Sequence, residues 1–267
     1  MTTLHDAFAR ARDEGRAALI GYLPAGFPTR DDSVRLIEAM VDEGVDIVEV
    51  GLPYSDPLMD GPVIQEAADT ALRGGMTPAG VLDVVERVSA TGAATLVMSY
   101  WNPVERFGVD AFASGLAQAG GCGVITPDLT PEEAAEWTRA TDAHDVDRIF
   151  LVAPSSTDAR LRTVAEACTG FVYAASTMGV TGARTAVSGS AASLVARVRE
   201  VTTLPVAVGL GVSSGDQAEE IAAYADGVIV GSAFIRRVLD ASSIGQAEAT
   251  VRELAAELAA GVRRRKE

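Results

Sequence analysis

An acidic residue interrupts a short apolar segment that has the composition of a buried strand. Glu49 lies between Val48 and Val50, with Ile47 before them and Gly51 after them. A carboxylate among branched aliphatic side chains costs free energy unless it pairs with a cation or lies at a wet end of the sheet. The segment therefore predicts either a buried ion pair or a carboxyl group reserved for proton transfer.

A stiff, polar loop with further acids follows this segment. Pro53, Pro57 and Pro62 alternate with Asp56 and Asp60. Proline fixes the backbone φ angle, and loops held on a rigid scaffold often carry binding and catalytic residues. We expect this loop to bend back over the end of the strand. The strand glutamate and the two loop aspartates are therefore candidates for general acid–base chemistry.

Glycine-rich turns in the second half of the chain are candidates for binding an anion. Two of them precede predicted helix starts at Ser213 and Ser232. A glycine turn is often only a turn former, but a helix start presents free backbone N–H groups and the positive end of the helix dipole. We expect a phosphate group there, held by Gly182, Gly211, Gly231 and Ser232.

The residue inventory excludes several other chemistries. Lys266 is the only lysine, so the chain lacks the amine that a Schiff-base aldolase or a pyridoxal phosphate enzyme needs. The only histidines, His5 and His144, precede predicted strands, on the side of the sheet away from the expected site. They fit neither a zinc centre nor a Ser-His-Asp triad. We expect no cofactor and no metal, so any carbon–carbon cleavage would run on proton transfer by carboxyl groups.

These residues need a scaffold, and the hydrophobic pattern indicates a parallel sheet. Short apolar runs that end in Gly, Pro, Ser or Asp are typical of buried strands. Segments with helical spacing separate them, several preceded by a cap residue such as Thr29, Thr130 or Ser213. The eight predicted strands span 17–22, 46–50, 94–99, 123–126, 148–152, 170–174, 204–208 and 227–230.

Eight alternating strands and helices favour an α/β fold closed into a (β/α)8 TIM barrel with extra covering helices. An open doubly wound sheet is the competitor, but it usually carries a glycine-rich phosphate loop after its first strand. Residues 23–28 read LPAGFP and lack that spacing. We expect a single barrel domain over 1–267, with a last covering helix at 244–262. Catalytic residues of such barrels lie at the carboxyl ends of the strands.

Composition limits what the chain binds and where it works. The 267 residues are 48% hydrophobic and carry a formal charge of −15, which disfavours nucleic acid as a partner. We expect neither a membrane span nor an export signal. Cys122 and Cys168 are expected to be buried, reduced thiols, which predicts a cytoplasmic protein. The basic run at 263–266 is expected to be a frayed, solvated tail.

Residues 48–62, which read VEVGLPYSDPLMDGP, resemble the signature of the tryptophan synthase α subunit. The resemblance extends over nearly the whole chain. Further matching strings are GYLPAG at 21–26, YWNP at 100–103, PDL at 127–129, GVTGAR at 179–184, GLGV at 209–212 and GS at 231–232.

The resemblance implies a reaction and a role for each carboxylate. Members of this family cleave indole-3-glycerol phosphate by a retro-aldol step that releases indole and glyceraldehyde 3-phosphate. Glu49 would protonate indole C3 and take a proton from the C3′ hydroxyl, while Asp60 would accept a hydrogen bond from the indole N–H. The indole ring would be held by Tyr22, Ile125, Leu151, Tyr173, Leu210 and Ile229.

The resemblance also implies a lid and a partner. The loop 177–190, which contains Thr181, would close against the Asp60 loop when substrate is bound. The chain would dock on a pyridoxal phosphate-dependent β subunit in an α2β2 assembly, through the loop around Pro53, Asp56 and Pro57 and the turn at Asn102. Exposed apolar groups such as Leu58 and Met59 would suit either an interface or a lid.

Two other functions remain to be weighed. A sugar-phosphate isomerase barrel would share the phosphate turns, but the triosephosphate type needs a Lys and a His near the mouth. The histidine-pathway type needs an Asp at the end of strand one, which here ends in Gly21 and Tyr22. A catalytically silent barrel, acting only as a binding or regulatory subunit, is disfavoured because both Glu49 and Asp60 are present.

Overall fold

The computed structural model describes residues 2–175 and 184–264, with the side chains of 184–188 also outside the description. Within these residues nine parallel strands form one sheet. The strands are β1 Ala18–Pro24, β2 Ile47–Gly51, β3 Ala94–Met98, β4 Gly123–Ile125, β5 Asp147–Ile149, β6 Leu151–Val152, β7 Val172–Ala175, β8 Val206–Gly209 and β9 Gly227–Val230.

The sheet closes into a barrel, which confirms the predicted fold. The strand order is β5-β4-β3-β2-β1-β9-β8-β7-β6, and its two end strands follow each other in the chain with only Phe150 between them. The predicted fifth strand is therefore divided in two. At the break, the Phe150 N–H lies 3.4 Å from Cys168 Sγ, while its carbonyl accepts the Tyr173 N–H at 3.2 Å. The other predicted strands agree with observed ones to within two residues.

Helices cover the outside of the barrel and one of its ends. They are α1 Leu4–Asp13, α2 Arg30–Asp42, α3 Pro62–Arg73, α4 Pro78–Ser89, α5 Trp101–Phe107, α6 Val109–Gln118, α7 Ala135–Ala143, α8 Asp158–Ala167, α9 Arg184–Arg199, α10 Gly215–Ala222, α11 Ser232–Leu239 and α12 Ile244–Arg263. The predicted last covering helix is confirmed by α12. In the part of the chain described, no helix combines the length and the apolar character needed to cross a bilayer.

One of the three predicted helix caps is confirmed. The Thr29 side chain accepts the N–H of the third residue of α2. Thr130 does not cap α7, because its hydroxyl bonds Glu133 at 3.2 Å in a turn that precedes the helix. For α10 the N-cap is Ser214 and not Ser213. Several hydroxyl residues in a row do not reveal which of them adopts the cap conformation.

Apolar side chains fill the barrel in two sets, one inside the strands and one between strands and helices. The inner set includes Ile20, Ile47 and Ile229, and α1 adds Leu4 and Phe8 to it. Successive strand side chains point to opposite faces, so residues two apart share the interior. Helix α1 therefore closes the amino-terminal end of the barrel, and the carboxyl ends of the strands stay available for a site.

A buried ion pair ties the first two strands together at the amino-terminal end. Arg16 donates to both carboxylate oxygens of Asp46, at 2.6 and 2.9 Å. Asp46 also accepts the Leu19 N–H at 2.9 Å. Bidentate Arg–carboxylate pairs fix geometry as well as charge. This pair is remote from the carboxyl ends of the strands and serves the fold.

The basic run near the carboxyl terminus is not a frayed tail where the structure describes it. Arg263 is the last residue of α12, and Arg264 forms ion pairs with Asp216 at 2.8 Å and Glu219 at 2.6 Å. The prediction for this run was wrong at these two residues, because the acidic face of α10 provides partners that lie far away in sequence.

Candidate active site

Glu49 lies inside the barrel in the middle of β2. Its register partners are Tyr22 on β1 and Leu96 on β3. It shares the inner face with Ile47, two residues earlier, and only 1% of its surface is exposed. Its Oε1 atom has no hydrogen-bond partner among the described residues. The predicted alternative of a buried ion pair is thus not found for Glu49 in the described part of the chain.

Burial gives this carboxyl group an unusual proton affinity. Desolvation raises the pKa of Glu49 from 4.5 to about 8, since the charged form is poorly solvated inside the barrel. The side chain therefore holds a proton at neutral pH, and its Oε1 atom has no hydrogen-bond partner in the part of the chain that the structure describes. Such a group is suited to act as a general acid and, after giving up the proton, as a base.

Asp60 lies in the loop between β2 and α3 and is held by a tyrosine. The Tyr100 hydroxyl donates to Asp60 Oδ1 at 3.0 Å and accepts the Met59 N–H at 3.0 Å. The Gln65 side-chain amide donates to the Asp60 carbonyl at 2.8 Å. Burial raises the pKa of Asp60, while the hydrogen bond from Tyr100 acts in the opposite direction. The carboxylate is thus fixed at one oxygen and partly desolvated.

Two tyrosines, the buried Tyr22 and the half-buried Tyr173, connect the carboxylates with the opposite wall of the barrel. The pKa of Tyr22 is raised by burial first and then by the charges of Asp60 and Glu49, so both acids lie near its hydroxyl. The pKa of Tyr173 is also raised by burial, with a contribution from the charge of Glu49. Both tyrosines thus lie near Glu49 at the carboxyl-terminal end of the barrel, which is called the mouth below.

Glycines at the strand ends make room for these rings. A Cβ atom at Gly51 would lie 2.5 Å from the Tyr22 hydroxyl oxygen. A Cβ atom at Gly209 would meet the Tyr173 hydroxyl oxygen still more closely. Real Cβ contacts this short do not occur, so the two glycines are required by the tyrosines. At the carboxyl end of the barrel, a tyrosine on one strand is therefore accommodated by a glycine, which has no side chain, on the neighbouring strand.

The six apolar residues expected around the indole ring fall into two groups. Ile125, Leu151, Tyr173 and Ile229 belong to the set inside the barrel. Tyr22 and Leu210 pack with the larger set outside it, although Tyr22 also faces the two carboxylates. The structure thus brings five of the six residues to the interior or its mouth. Leu210 is half-buried beyond the end of β8.

The two helix starts of the predicted anion site differ in whether side chains already bind their backbone N–H groups. At α11 the N-cap is Gly231, which provides no side-chain cap, and Ser232 is the first helical residue. Phe234 is the first to bond back, through its N–H to the Gly231 carbonyl at 3.0 Å. The first N–H groups of this helix thus remain for an anion.

At α10 the corresponding positions are taken by side chains. Glu257 accepts the Gly215 N–H at 2.7 Å, and Gln217 accepts the Ser213 N–H at 2.8 Å. Gly211, with φ of +66°, forms the turn before this helix. Side chains thus occupy two backbone donors at the start of α10, and the part of Gly211 in binding a phosphate group stays a prediction. Thr181, Gly182 and most of the predicted lid 177–190 lie outside the described residues.

Sequence reasoning missed the residues that hold the Asp60 loop. Tyr100 was noted only as part of a matching string, and its bond to Asp60 crosses 40 positions. Tyr54 packs its ring on Tyr100 with centroids 5.4 Å apart, and its hydroxyl accepts from the Asn102 amide at 3.1 Å. The signal was present in the clustering of aromatic and amide residues after two neighbouring strands. Leu58 and Met59 are exposed by 78% and 39%, as expected.

Fold and site together define a class: a (β/α)8-barrel protein with a protonated carboxyl group inside the strands, a second carboxylate on the loop above it, and a helix start suited to a phosphate. The family model for the tryptophan synthase alpha chain matches residues 8–263. The chain therefore belongs to the tryptophan synthase alpha chain family.

Individual relatives agree with this assignment. The tryptophan synthase alpha chain of Thermobifida fusca is 62% identical over 266 residues, covering 98% of each chain. That of Acidothermus cellulolyticus is 60% identical, covering 99% of this chain and 98% of the relative. A solved structure of tryptophan synthase from Mycobacterium tuberculosis has a TM-score of 0.91 at 54% identity, covering 98% of this chain and 99% of the other.

Proposed function

We propose that this chain, as one catalytic domain, cleaves indole-3-glycerol phosphate to indole and glyceraldehyde 3-phosphate, with Glu49 and Asp60 as its catalytic residues. The activity is that of the family to which the chain belongs. The observation that carries the assignment of roles is the buried, protonated Glu49 inside the barrel, whose Oε1 atom has no partner among the described residues and which lies near Tyr22, as Asp60 does.

Glu49 performs both proton transfers in this proposal. Its carboxyl proton goes to indole C3, which converts the ring into an electron sink. The resulting carboxylate then takes the proton of the C3′ hydroxyl, and the electron pair of the breaking carbon–carbon bond returns to the indole ring. The C3′ oxygen becomes the aldehyde of glyceraldehyde 3-phosphate, and Glu49 is protonated again. A pKa of about 8 serves both steps near neutral pH.

Asp60 stabilises the charge that develops on the ring. Protonation at C3 makes the indole N–H a stronger donor, and a fixed carboxylate beside it favours that state more than the ground state. The hydrogen bond from Tyr100 leaves the second oxygen of Asp60 for this contact. The phosphate of the substrate would bind at the start of α11, with Ser232 and the backbone of Gly231.

The indole product passes to a pyridoxal phosphate-dependent tryptophan synthase β subunit. This chain is then the α subunit of an α2β2 assembly in the cytoplasm. The exposed Leu58 and Met59 on the Asp60 loop suit a docking surface of this kind. Because that loop also carries the catalytic carboxylate of Asp60, binding of the partner would affect the active site. Nucleic acid is not a partner in this proposal, since the chain carries a formal charge of −15.

An indole-release assay tests the proposal. Purified chain, with and without a β subunit, is supplied with indole-3-glycerol phosphate, and indole and glyceraldehyde 3-phosphate are measured in parallel. The two products should appear in equal amounts. Glu49→Gln should lose about 10²- to 10⁴-fold in kcat, the usual contribution of a positioned acid–base group. Turnover of a triose phosphate or an aminoketose in place of this substrate, with no indole formed, would overturn the proposal.

A further inference from the structure

The Asp60 loop begins at the buried Leu52, but the part of it next to Asp60 has little apolar anchoring. Leu58 is 78% exposed and Met59 39% exposed, so neither side chain fixes the loop to the core. The hydroxyl of Tyr100 supplies the anchor instead, through the Met59 N–H and the Asp60 carboxylate, each at 3.0 Å. One phenol oxygen thus fixes both the backbone and the side chain at this point of the loop.

Tyr100 is itself at a helix start that needs support. It is the N-cap residue of α5 and makes no side-chain capping hydrogen bond, since the tyrosine hydroxyl is carried across the ring away from the helix start and is bound to the Asp60 loop. Asp128, on the turn after β4, replaces the missing cap by accepting the Trp101 N–H at 2.9 Å. A carboxylate at this position also interacts favourably with the helix dipole. The half-buried Asp128 thus fixes the first turn of α5.

Packing holds the Tyr100 ring from the side. The Tyr54 ring lies against it at 5.4 Å between centroids, while the Tyr54 hydroxyl is bonded to the Asn102 amide and not to Asp60. The ring of Tyr54 and the carboxylate of Asp128 therefore constrain Tyr100 by different means. Only the Tyr100 hydroxyl reaches the Asp60 carboxylate from this group of residues.

We propose that Asp128 and Tyr100 are positioning residues for Asp60: Asp128 sets the start of α5, and the helix start sets the Tyr100 hydroxyl against the Asp60 carboxylate before substrate binds. This role rests on the function proposed above for Asp60. It gives one common task to Tyr100, in the matching string after β3, and Asp128, in the matching string after β4. Preorganised contacts of this kind matter most for groups that stabilise a transition state.

The test begins with Tyr100→Phe, which removes the hydroxyl and keeps the ring. Indole release should fall about tenfold in kcat, the scale of one hydrogen bond to a charged group. KM should stay within about twofold, because the phosphate is bound at α11. The acidic limb of the pH–rate profile should move to higher pH, since the lost hydrogen bond favours ionised Asp60. Among the described residues, the other titratable groups around Asp60 and Tyr100 are Tyr22, Glu49, Tyr54, Asp56, Asp128 and Tyr173, and the substitution leaves them in place.

Four further variants make the result interpretable. Asp128→Ala should lower kcat about as much as Tyr100→Phe, and Asp128→Asn, which keeps an acceptor oxygen, should restore most of it. Tyr54→Phe is the matched control, because it removes the neighbouring hydroxyl from the same aromatic pair and should change kcat by less than about twofold. Asp60→Asn, measured in parallel, separates this proposal from the preceding one.

Each outcome decides one point. If Tyr100→Phe keeps the kinetics of the unmodified chain while Asp60→Asn is inactive, the positioning role is wrong and the function of Asp60 stands. If Asp60→Asn keeps full activity, the function proposed for Asp60 fails first. A slower Tyr100→Phe whose acidic limb does not move would mean a general structural role, and it would also overturn the positioning role.

Discussion

Glu49→Gln should change how the stability of the fold depends on pH. In the unfolded chain this carboxyl loses its proton near its ordinary pKa of 4.5, whereas in the folded chain burial holds the proton up to about 8. Between these values the folded state binds more protons than the unfolded state, so stability falls as pH rises. Below pH 4.5 the titration of Glu49 does not change the free energy of unfolding with pH, and above about pH 8 the loss of stability is complete.

The magnitude follows from the width of this window. At about 1.4 kcal/mol per pH unit, the interval corresponds to roughly 5 kcal/mol of unfolding free energy. That is a large fraction of the stability of an ordinary domain. The glutamine variant lacks the titration. It carries a buried amide whose cost does not vary with pH, so its curve is offset but should not slope for this reason.

Urea unfolding at several pH values measures the effect, with the fluorescence of the buried Trp137 as the signal. The difference in unfolding free energy between the two proteins should shift in favour of Glu49→Gln by several kcal/mol from about pH 4 to pH 9. Parallel curves over that range would refute the reasoning, because they would mean that Glu49 titrates normally in the fold.

Three other substitutions test separate parts of the account. Asp46→Ala should destabilise the fold by up to about 3–5 kcal/mol, because it leaves the buried Arg16 with only the exposed Glu14 as an ionic partner among the described residues. Denaturant titration measures this, and a loss below about 1 kcal/mol would contradict it. Gly51→Ala should lower the free energy of unfolding by about 1–3 kcal/mol and slow indole release, because its Cβ would lie 2.5 Å from the Tyr22 hydroxyl oxygen. Unchanged melting and kinetics would show that the Tyr22 ring moves freely. Ser232→Ala should raise KM for indole-3-glycerol phosphate by up to about tenfold with kcat nearly unchanged; steady-state kinetics decide, and an unaltered KM would place the phosphate elsewhere.

The barrel could be predicted from the sequence because its strands are short apolar runs with little ambiguity. A buried parallel strand such as β2 needs branched aliphatic residues on both faces, and an acid among them is conspicuous for that reason. The break at Phe150 was not predictable, since nothing in the run at 148–152 distinguishes a bent strand from a straight one. The same holds for the choice between Ser213 and Ser214 as a cap.

The sequence predicts Glu49 and Asp60 as candidate catalytic residues but does not predict the side chains that hold the Asp60 loop. Glu49 is conspicuous as an acid in an apolar strand, and Asp60 as an acid in the proline-rich loop that resembles the family signature. Tyr100, in contrast, is a tyrosine after a strand, and only the closed barrel brings it to a carboxylate 40 positions away. The occupied start of α10 is similar, because the residue that fills it, Glu257, comes from α12.

The protonation state of Glu49 is the central claim, and infrared difference spectroscopy tests it most directly. The carboxylic acid band that is present in the unmodified chain and absent from Glu49→Gln should persist through neutral pH and disappear with a midpoint of about 8. A band that is already lost near the ordinary pKa of 4.5 would contradict the account, because Glu49 would then carry no proton to give to indole C3.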